Sequence, residues 1–319
     1  MKYAKDTRPE ALATETAEII IEALPWIKNI TGKTVVIKYG GSAMVNKQLR
    51  ADVMADIVLL KIIGVNLIIV HGGGFAITEM MEKLNSPVEF KRGLRVTTDE
   101  AMDIAKMVLV GKVNQELVEA INLHGNVAVG VSGSDAGTIT ARQFDPELGR
   151  VGVISAIDST YLENLIKNDY IPVVATIARG EDGGFYNINA DLAAGEIAAK
   201  IGAHKIIFLT DVDGLYEDFD DKESLISNLS LEEMKTIVAA DAASSGMIPK
   251  LKACIQALEA GVFRSYIING CVPHSLLLEL LTNVGVGTTM HTEGAATFDF
   301  HPLGNFASKL IENRGGYDF

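Results

Sequence analysis

Short apolar runs rich in β-branched residues recur along this chain. Most end in a turn, and helical spacing follows most of those turns. Val35-Val36-Ile37, Asn66–Val70, Val127–Val131, Ile171–Ala175, Lys205–Leu209 and Arg264–Ile268 read as core strands. Helical spacing covers Lys47–Ile63, Phe75–Leu84, Ser159–Lys167, Asp191–Ile201, Leu231–Ala239, Gly246–Ala260 and His274–Leu281. A longer helix runs from about Asp99 to about Leu123, capped by Thr97 or Thr98, with Gly111 marking a kink. Ahead of the first strand, Ala13, Ala17, Ile20, Ile21 and Leu24 share one face of a helix over Glu10–Leu24, with Pro25 just past its end. That stripe either packs on its own domain or meets a partner subunit. Strand followed by helix is the rhythm of an α/β fold around a mainly parallel sheet. Hairpin signals interrupt it at Lys91–Thr97, at 138–154 around Pro146–Gly149, and at Glu181–Gly184.

The turns after the first two strands carry the chemistry. Val35–Ile37 runs into Lys38, Tyr39, Gly40 and Gly41, and Asn66–Val70 into His71 and the triple glycine Gly72–Gly74. Glycine lets the backbone approach a ligand and present its N–H groups, and a following helix adds a dipole that favours an anion. Either motif alone could be a tight turn or a crowded strand–helix crossing. Two of them on neighbouring parallel strands would face each other at the carboxyl edge of a sheet, where doubly wound folds bind ligands. Ser132–Gly137 makes a third, less diagnostic glycine turn.

Length and composition narrow the setting. The 319 residues allow one large domain or two modest ones, and a 48% hydrophobic content supports a sizeable core. A net charge of −13 argues against a general nucleic-acid binder, which needs a basic face. It leaves room for an anionic ligand held by a local pair of lysines. Cys254 and Cys271 suggest core thiols and no disulfide framework. His71 has no obvious partner. No signal-peptide core is present, and the most apolar run, Ile57–Val70, is too broken to span a bilayer. These features predict a cytoplasmic protein with no membrane partner.

Several further residues draw attention. Arg95, between apolar neighbours, should be paired, either in a structural ion pair or as a fork for a carboxylate ligand. Asn187, Asn189 and Asp191 converge on a helix start, where Asp191 taken alone would be an N-cap. Lys250 lies in the first turn of its helix, a poor place for a cation unless it serves an anion. Thr210, Asp211 and Tyr216 follow the fifth strand, an acidic strand end that suggests nucleotide or Mg²⁺ surroundings or simply a turn. No Ser-His-Asp or Cys-His pattern stands out, and neither Gly-x-x-x-x-Gly-Lys-Ser/Thr nor Gly-x-Gly-x-x-Gly occurs. Phosphoryl transfer to a carboxylate suits this inventory. It runs on positioning and charge stabilisation, and an acceptor already ionised at neutral pH needs no general base.

Five motifs occur in order: Lys-Tyr-Gly-Gly-x-Ala-Met, Val-His-Gly-Gly-Gly, Gly-Leu-Arg-Val-Thr, Tyr-Asn-Ile-Asn-Ala-Asp and Gly-Met-Ile-Pro-Lys. Together, over roughly Thr31–Met290, they resemble the acetylglutamate kinases of the amino-acid kinase family. The resemblance implies a three-layer αβα sandwich around an open, mainly parallel sheet. It implies an oligomerisation extension over 1–30, an acetylglutamate-binding lobe over 31–180 and an ATP-binding lobe over 181–291, leaving a tail of unassigned role over 292–319. It further implies transfer of the γ-phosphate of MgATP to the γ-carboxylate of N-acetyl-L-glutamate, a step of arginine biosynthesis, with magnesium held through the nucleotide and no metal ligands on the chain. Lys38 and Lys250 match the phosphoryl-neutralising lysines and Asp191 the acid that orients them. Gly73, Gly74, Arg95 and Asn187 match substrate-binding positions. Gly40, Gly41, Thr210, Asp211 and Tyr216 match the nucleotide side. The N-terminal helix resembles the extension of arginine-inhibited, hexameric members, and Glu279 and Gly285 fall in the stretch matching their L-arginine site. A homo-oligomer, a dimer or a trimer of dimers, follows from the same likeness, whereas a PII-type signalling partner has no support in the residues. The rival expectations are a sister kinase acting on aspartate, glutamate, carbamate or UMP, and a non-catalytic arginine sensor.

Overall fold

A computed structural model describes residues 10–40, 47–218, 220–244 and 246–292. Gly41 and the tail from 293 lie outside them. The apolar runs assemble into one eight-stranded sheet. Its strands lie in the order Asn228–Ser230, Gly287–His291, Arg264–Asn269, Lys205–Thr210, Thr34–Tyr39, Asn66–His71, Ile171–Ala175 and Ala128–Ser132. The six strands read from the sequence are mutually parallel. Gly287–His291 adds an antiparallel edge, with Asn228–Ser230 beyond it.

Strand periodicity divides the core into two layers. Val35, Ile37 and Tyr39 face one layer, with helices Lys47–Ile62, Gly74–Lys83 and Ser275–Leu281. Val36 and its in-register neighbours Ile68 and Ile206 face the other, with helices Ala190–Ile201 and Met247–Glu259. Helices on both faces of a mainly parallel sheet give the three-layer sandwich. The alternation that buries Val36 also fixes the direction of Lys38, which must leave the sheet on the same face.

The hairpin signals form a second, four-stranded sheet of Phe185–Asn187, Ile177–Gly180, Ile139–Gln143 and Gly152–Ile157. Phe90–Lys91 pairs with Leu94–Arg95, and Thr98 caps the following helix by accepting from the Ala101 N–H at 3.1 Å. The kink at Gly111 is a π-helical segment, Met107–Asn114.

Two expectations need correction. The first helix does not stop before Pro25; it spans Glu10–Ile30 with Pro25 inside. Proline removes one backbone donor, but Ile30 is buried, and Trp26 and Ile27 pack against the core, so the helix is anchored beyond the defect. Cys254 is buried, but Cys271 is only half-buried.

Candidate functional site

The parallel register lines up the strand ends. Tyr39 is level with His71 and Leu209, His71 with Ala175, and Thr210 with Asn269. The glycine turns therefore emerge side by side at one edge of the sheet.

Lys38 folds back over Gly40. A Cβ at Gly40 would collide with the Lys38 ammonium and come within 3.0 Å of its Cε, so a side chain there would push the end of the lysine from this position. On the face shared with Val36, Lys38 Nζ stands 3.0 Å from Asp191 Oδ1. Lys250 Nζ donates to Asp191 Oδ2 at 3.1 Å and to the Gly246 carbonyl at 3.2 Å. The three side chains are 12%, 9% and 13% exposed for Lys38, Asp191 and Lys250. Burial alone would push the Asp191 carboxyl up. The charges of Lys38 and Lys250 and their hydrogen bonds outweigh it, and the carboxyl sits below its usual range. Two cations on one anion leave a net positive charge at a sparingly hydrated strand edge. Such a point attracts a migrating anionic group.

Asp191 is free for this role because it is not the cap. The Asn189 side chain accepts from the N–H groups of Asp191 (2.9 Å) and Leu192 (3.1 Å). Asn189 is thus committed to capping, and Asp191 lies in the first turn, where the helix dipole favours a carboxylate. Lys250 is held in its unfavourable first-turn position by Asp191. Gly195 lets the two helices touch: a Cβ there would lie 2.9 Å from the Ala253 carbonyl oxygen and 3.0 Å from its Cα.

The second glycine turn abuts this trio. A Cβ on Gly72 would lie 3.3 Å from that of Ala190, beside Asp191. Arg95 is 7% exposed, and its Nη2 donates to the Gly74 carbonyl at 2.9 Å and to Thr78 Oγ1 at 2.7 Å. Its guanidinium carbon lies 4.7 Å from the Phe90 ring centroid. No carboxylate among the described residues pairs with it, so the structural ion pair is not what holds it. Burial lowers its pKa. Asn187 ends the Phe185–Asn187 strand, and its neighbour Ile188 donates to the Thr176 carbonyl (3.1 Å) while Thr176 Oγ1 donates to the His71 carbonyl (3.4 Å). Asn187 is thereby tethered near the glycine turn.

On the other side, Thr210 Oγ1 donates to Asp211 at 3.2 Å. Tyr216 reaches Asp213, not Asp211, at 2.5 Å, and Asn269 Nδ2 donates to the same carboxylate at 2.7 Å. These bonds, that of Asn269 foremost, lower the Asp213 pKa, and the bond to Asp213 raises that of Tyr216 to about 12. Asp213 and Asn269 were not singled out in the sequence, although Asn269 ends a core strand and Asp213 lies in the turn after one. Glu279 and Gly285 lie elsewhere. Glu279 is half-buried and accepts from the Val286 N–H at 2.9 Å, near Thr289 at 3.4 Å. Burial raises its pKa, and the charges of Lys205 and Arg264, from the opposite ends of their strands, work against it. His71 does have a partner: its ring meets Asn114 and the Gly72 carbonyl.

An open cleft of about 490 Å³ lies between the π-helical segment and the second sheet, near Met107, Ser134, Ile177 and Phe185. Lys38, Asp191 and Lys250 do not line it. Among the described residues no group of three or more His, Cys, Asp or Glu could hold a metal, and no helix is long and apolar enough to cross a membrane.

The chain is similar to known proteins. The amino acid kinase family pattern matches residues 33–269. An acetylglutamate kinase of Caldanaerobacter subterraneus subsp. tengcongensis is 49% identical over 279 residues, 87% of this chain and 93% of that protein. One from Halothermothrix orenii is 46% identical over 282 residues, 87% of this chain and 97% of its own. Among solved structures, an N-acetylglutamate synthase of Neisseria gonorrhoeae, complexed with coenzyme A and N-acetyl-glutamate, superposes with a TM-score of 0.76 at 26% identity over 87% of this chain. This chain spans only 63% of that synthase. A carbamate kinase from Giardia lamblia shares the fold alone, at 17% identity and a TM-score of 0.61 over 82% of this chain and 99% of its own. With a family pattern across most of its length and relatives near half identity, the chain belongs to the amino acid kinase family, among its acetylglutamate kinases.

Proposed function

We propose that the protein transfers the γ-phosphate of ATP to the γ-carboxylate of N-acetyl-L-glutamate, giving an acyl phosphate and ADP. The observation that carries this reading is the buried Lys38–Asp191–Lys250 constellation at the meeting of two glycine turns. Arg95, buried without a carboxylate partner among the described residues, takes the α-carboxylate of the substrate, and Asn187 a second polar group. The amides of Gly73 and Gly74 face the acceptor. Gly40 and Gly41 line the phosphate path, and Thr210, Asp211 and Tyr216 border the nucleotide. Lys38 and Lys250 neutralise charge as it spreads over the moving phosphoryl oxygens, and Asp191 keeps both ammonium groups in register without taking a proton. Magnesium would arrive on the nucleotide and neutralise its β- and γ-phosphates. Lobes over 31–180 and 181–291 would each bring one substrate to the sheet edge. Acyl phosphate trapped as the hydroxamate, formed only with both N-acetyl-L-glutamate and MgATP, is the expected result. ADP release with aspartate, glutamate or carbamate instead would move the chain to a sister activity, and nucleotide binding without turnover would make it a sensor.

Two further roles belong to the same reading. The chain is similar, at 25% identity and a TM-score of 0.72, to an N-acetylglutamate synthase solved with coenzyme A and L-arginine. We place an L-arginine effector site at Glu279 and Gly285, where a partly buried carboxylate is available to a guanidinium. Added L-arginine should lower turnover in the parent protein and not after Glu279→Gln. The exposed Ile19, Ile20, Ile21 and Leu24 on the Glu10–Ile30 helix meet a second copy of the chain. Ile20→Asp with Leu24→Asp should reduce the mass seen by light scattering while leaving turnover within about twofold. An unchanged mass would remove this surface from the assembly.

A further inference from the structure

The π-helical segment Met107–Asn114 crosses above the second glycine turn. It has no part in the phosphoryl-transfer reading, yet it presses three side chains onto that turn. A Cβ at Gly73 would lie 2.6 Å from Leu109 Cδ2 and 3.3 Å from Val113 Cγ2, so the segment rests directly on the glycine backbone. The third side chain is Asn114, which is 1% exposed. Its Nδ2 lies 2.7 Å from the Val173 carbonyl oxygen and 3.0 Å from His71 Nε2. Room for it exists because residue 130 is glycine: a Cβ there would collide with Asn114 Oδ1. π-turns within helices occur often at functional sites.

These contacts leave one consistent set of protons. A carbonyl oxygen only accepts, so the Asn114 atom facing Val173 must be the NH₂. Its second hydrogen points at His71 Nε2, which must then accept. In a neutral ring the proton is therefore on Nδ1, which lies 2.9 Å from the Gly72 carbonyl oxygen and donates to it. Burial keeps this ring neutral, lowering its pKa to about 4. The chain Asn114–His71–Gly72 is thus directional from end to end. Its last link fixes a peptide plane. In a trans peptide the N–H points opposite to the C=O, so a Gly72 carbonyl held against the buried ring turns the Gly73 N–H away from the core. Among the described residues neither the Gly73 nor the Gly74 N–H meets an acceptor; Gly73 is half-buried and Gly74 exposed.

We infer that Asn114 is a positioning residue for substrate binding: acting through His71, it orients the Gly72–Gly73 peptide so that the Gly73 N–H faces the carboxylate acceptor. The inference rests on the proposed kinase reading for the identity of that ligand. The tautomer it requires does not depend on that reading.

The test therefore has two arms. In the first, the full-length protein is labelled with ¹⁵N-histidine and its imidazole correlations are recorded at pH 7 and pH 5.5. The expected result is one histidine in the Nδ1–H form at both values, lost in His71→Gln. An Nε2–H tautomer, or a His71 ring that becomes protonated by pH 5.5, overturns the inference whatever the substrate is. In the second, Asn114→Ala and Asn114→Asp are compared with the parent by steady-state kinetics. Asn114→Ala should raise the KM for N-acetyl-L-glutamate tenfold or more and leave the KM for ATP within twofold. In Asn114→Asp, acetylglutamate KM should fall as the pH is lowered, because a protonated carboxyl regains one donor. Circular dichroism separates a folded variant from a collapsed one. If Asn114→Ala does not fold, Asn114→Asp and the tautomer decide. Acetylglutamate KM values within twofold of the parent in the folded variants overturn the inference. A parent protein that forms no acyl phosphate would instead overturn the kinase reading, with the tautomer arm still standing.

Discussion

At the residue scale the site is a charge balance with one sign left over. Asp191 is shared by two ammonium groups, and removing either lysine leaves a neutral pair and no excess positive charge. Lys38→Ala and Lys250→Ala should therefore each cut kcat by two orders of magnitude or more, the scale of removing about 3 kcal/mol of transition-state stabilisation. The fold should survive both changes, because each leaves Asp191 one partner. Near-normal kcat in either variant would take that lysine out of the reaction. Arg95 acts differently, because its interaction with a substrate carboxylate is the same before and during transfer. Arg95→Ala should raise the KM for N-acetyl-L-glutamate, with a smaller change in kcat and none in the KM for ATP. Lys38 and Lys250 drew attention because each stood at a strand end or helix start where its charge was out of place, and Asp191 because two amides led into the same helix start. Asn189 misled: Asn-Ile-Asn-Ala-Asp offers two amides and an acid, and only three dimensions show that one amide is spent on the cap. Asn269 and Asp213 gave no such signal, since an acid or amide after a strand is an ordinary turn residue.

At the element scale the site depends on how closely two helices approach. Lys250 and Asp191 belong to the first turns of Met247–Glu259 and Ala190–Ile201, and Gly195 is the point where these helices touch. In the sequence Gly195 looks like a simple helix defect, costing about 1 kcal/mol relative to alanine. Its reason appears only from the other helix, which sequence spacing cannot supply. A branched side chain there must push against the backbone at Ala253, and overpacking of this kind costs about 1–3 kcal/mol. Gly195→Val should lower the melting temperature and also move Lys250 away from Asp191, with kcat falling about tenfold. Gly195→Ala should show smaller changes in the same direction. A Gly195→Val enzyme that loses stability but keeps its kcat would separate helix packing from lysine placement. The six parallel strands were legible for the converse reason: most of their residues are buried, and each carries a run of apolar residues. The strands Asn228–Ser230 and Gly287–His291 were missed because short, mixed-polarity segments carry no such run.

At the scale of the whole molecule the titratable groups it buries set its pH range. The ordinary histidine pKa is about 6.5, and the buried His71 ring is lowered to about 4. The unfolded chain therefore takes up a proton before the folded one does. Stability associated with His71 is fully present above pH 6.5 and is lost as the pH falls toward 4. The whole interval corresponds to about 3 kcal/mol, an order-of-magnitude figure for a fully buried ring. His204, lowered chiefly by burial, acts in the same sense but is partly exposed. Asp56, buried and raised to about 6, acts in the opposite sense, because its folded form binds a proton more readily than its unfolded one. Asp191 joins only at lower pH: its depressed pKa gives stability that is present above the ordinary carboxylate value and is lost as the pH falls through the folded one. The net slope mixes these groups, so the informative quantity is the difference between the parent and His71→Gln. Urea unfolding at pH 7 and pH 5 should show a steeper loss in the parent, by a substantial part of that 3 kcal/mol. Parallel curves would mean that His71 titrates in the folded protein as it does in water. Below about pH 6.5 a second proton would then sit on Nε2, facing the Asn114 NH₂ group, and the link from Asn114 to the glycine turn would be broken.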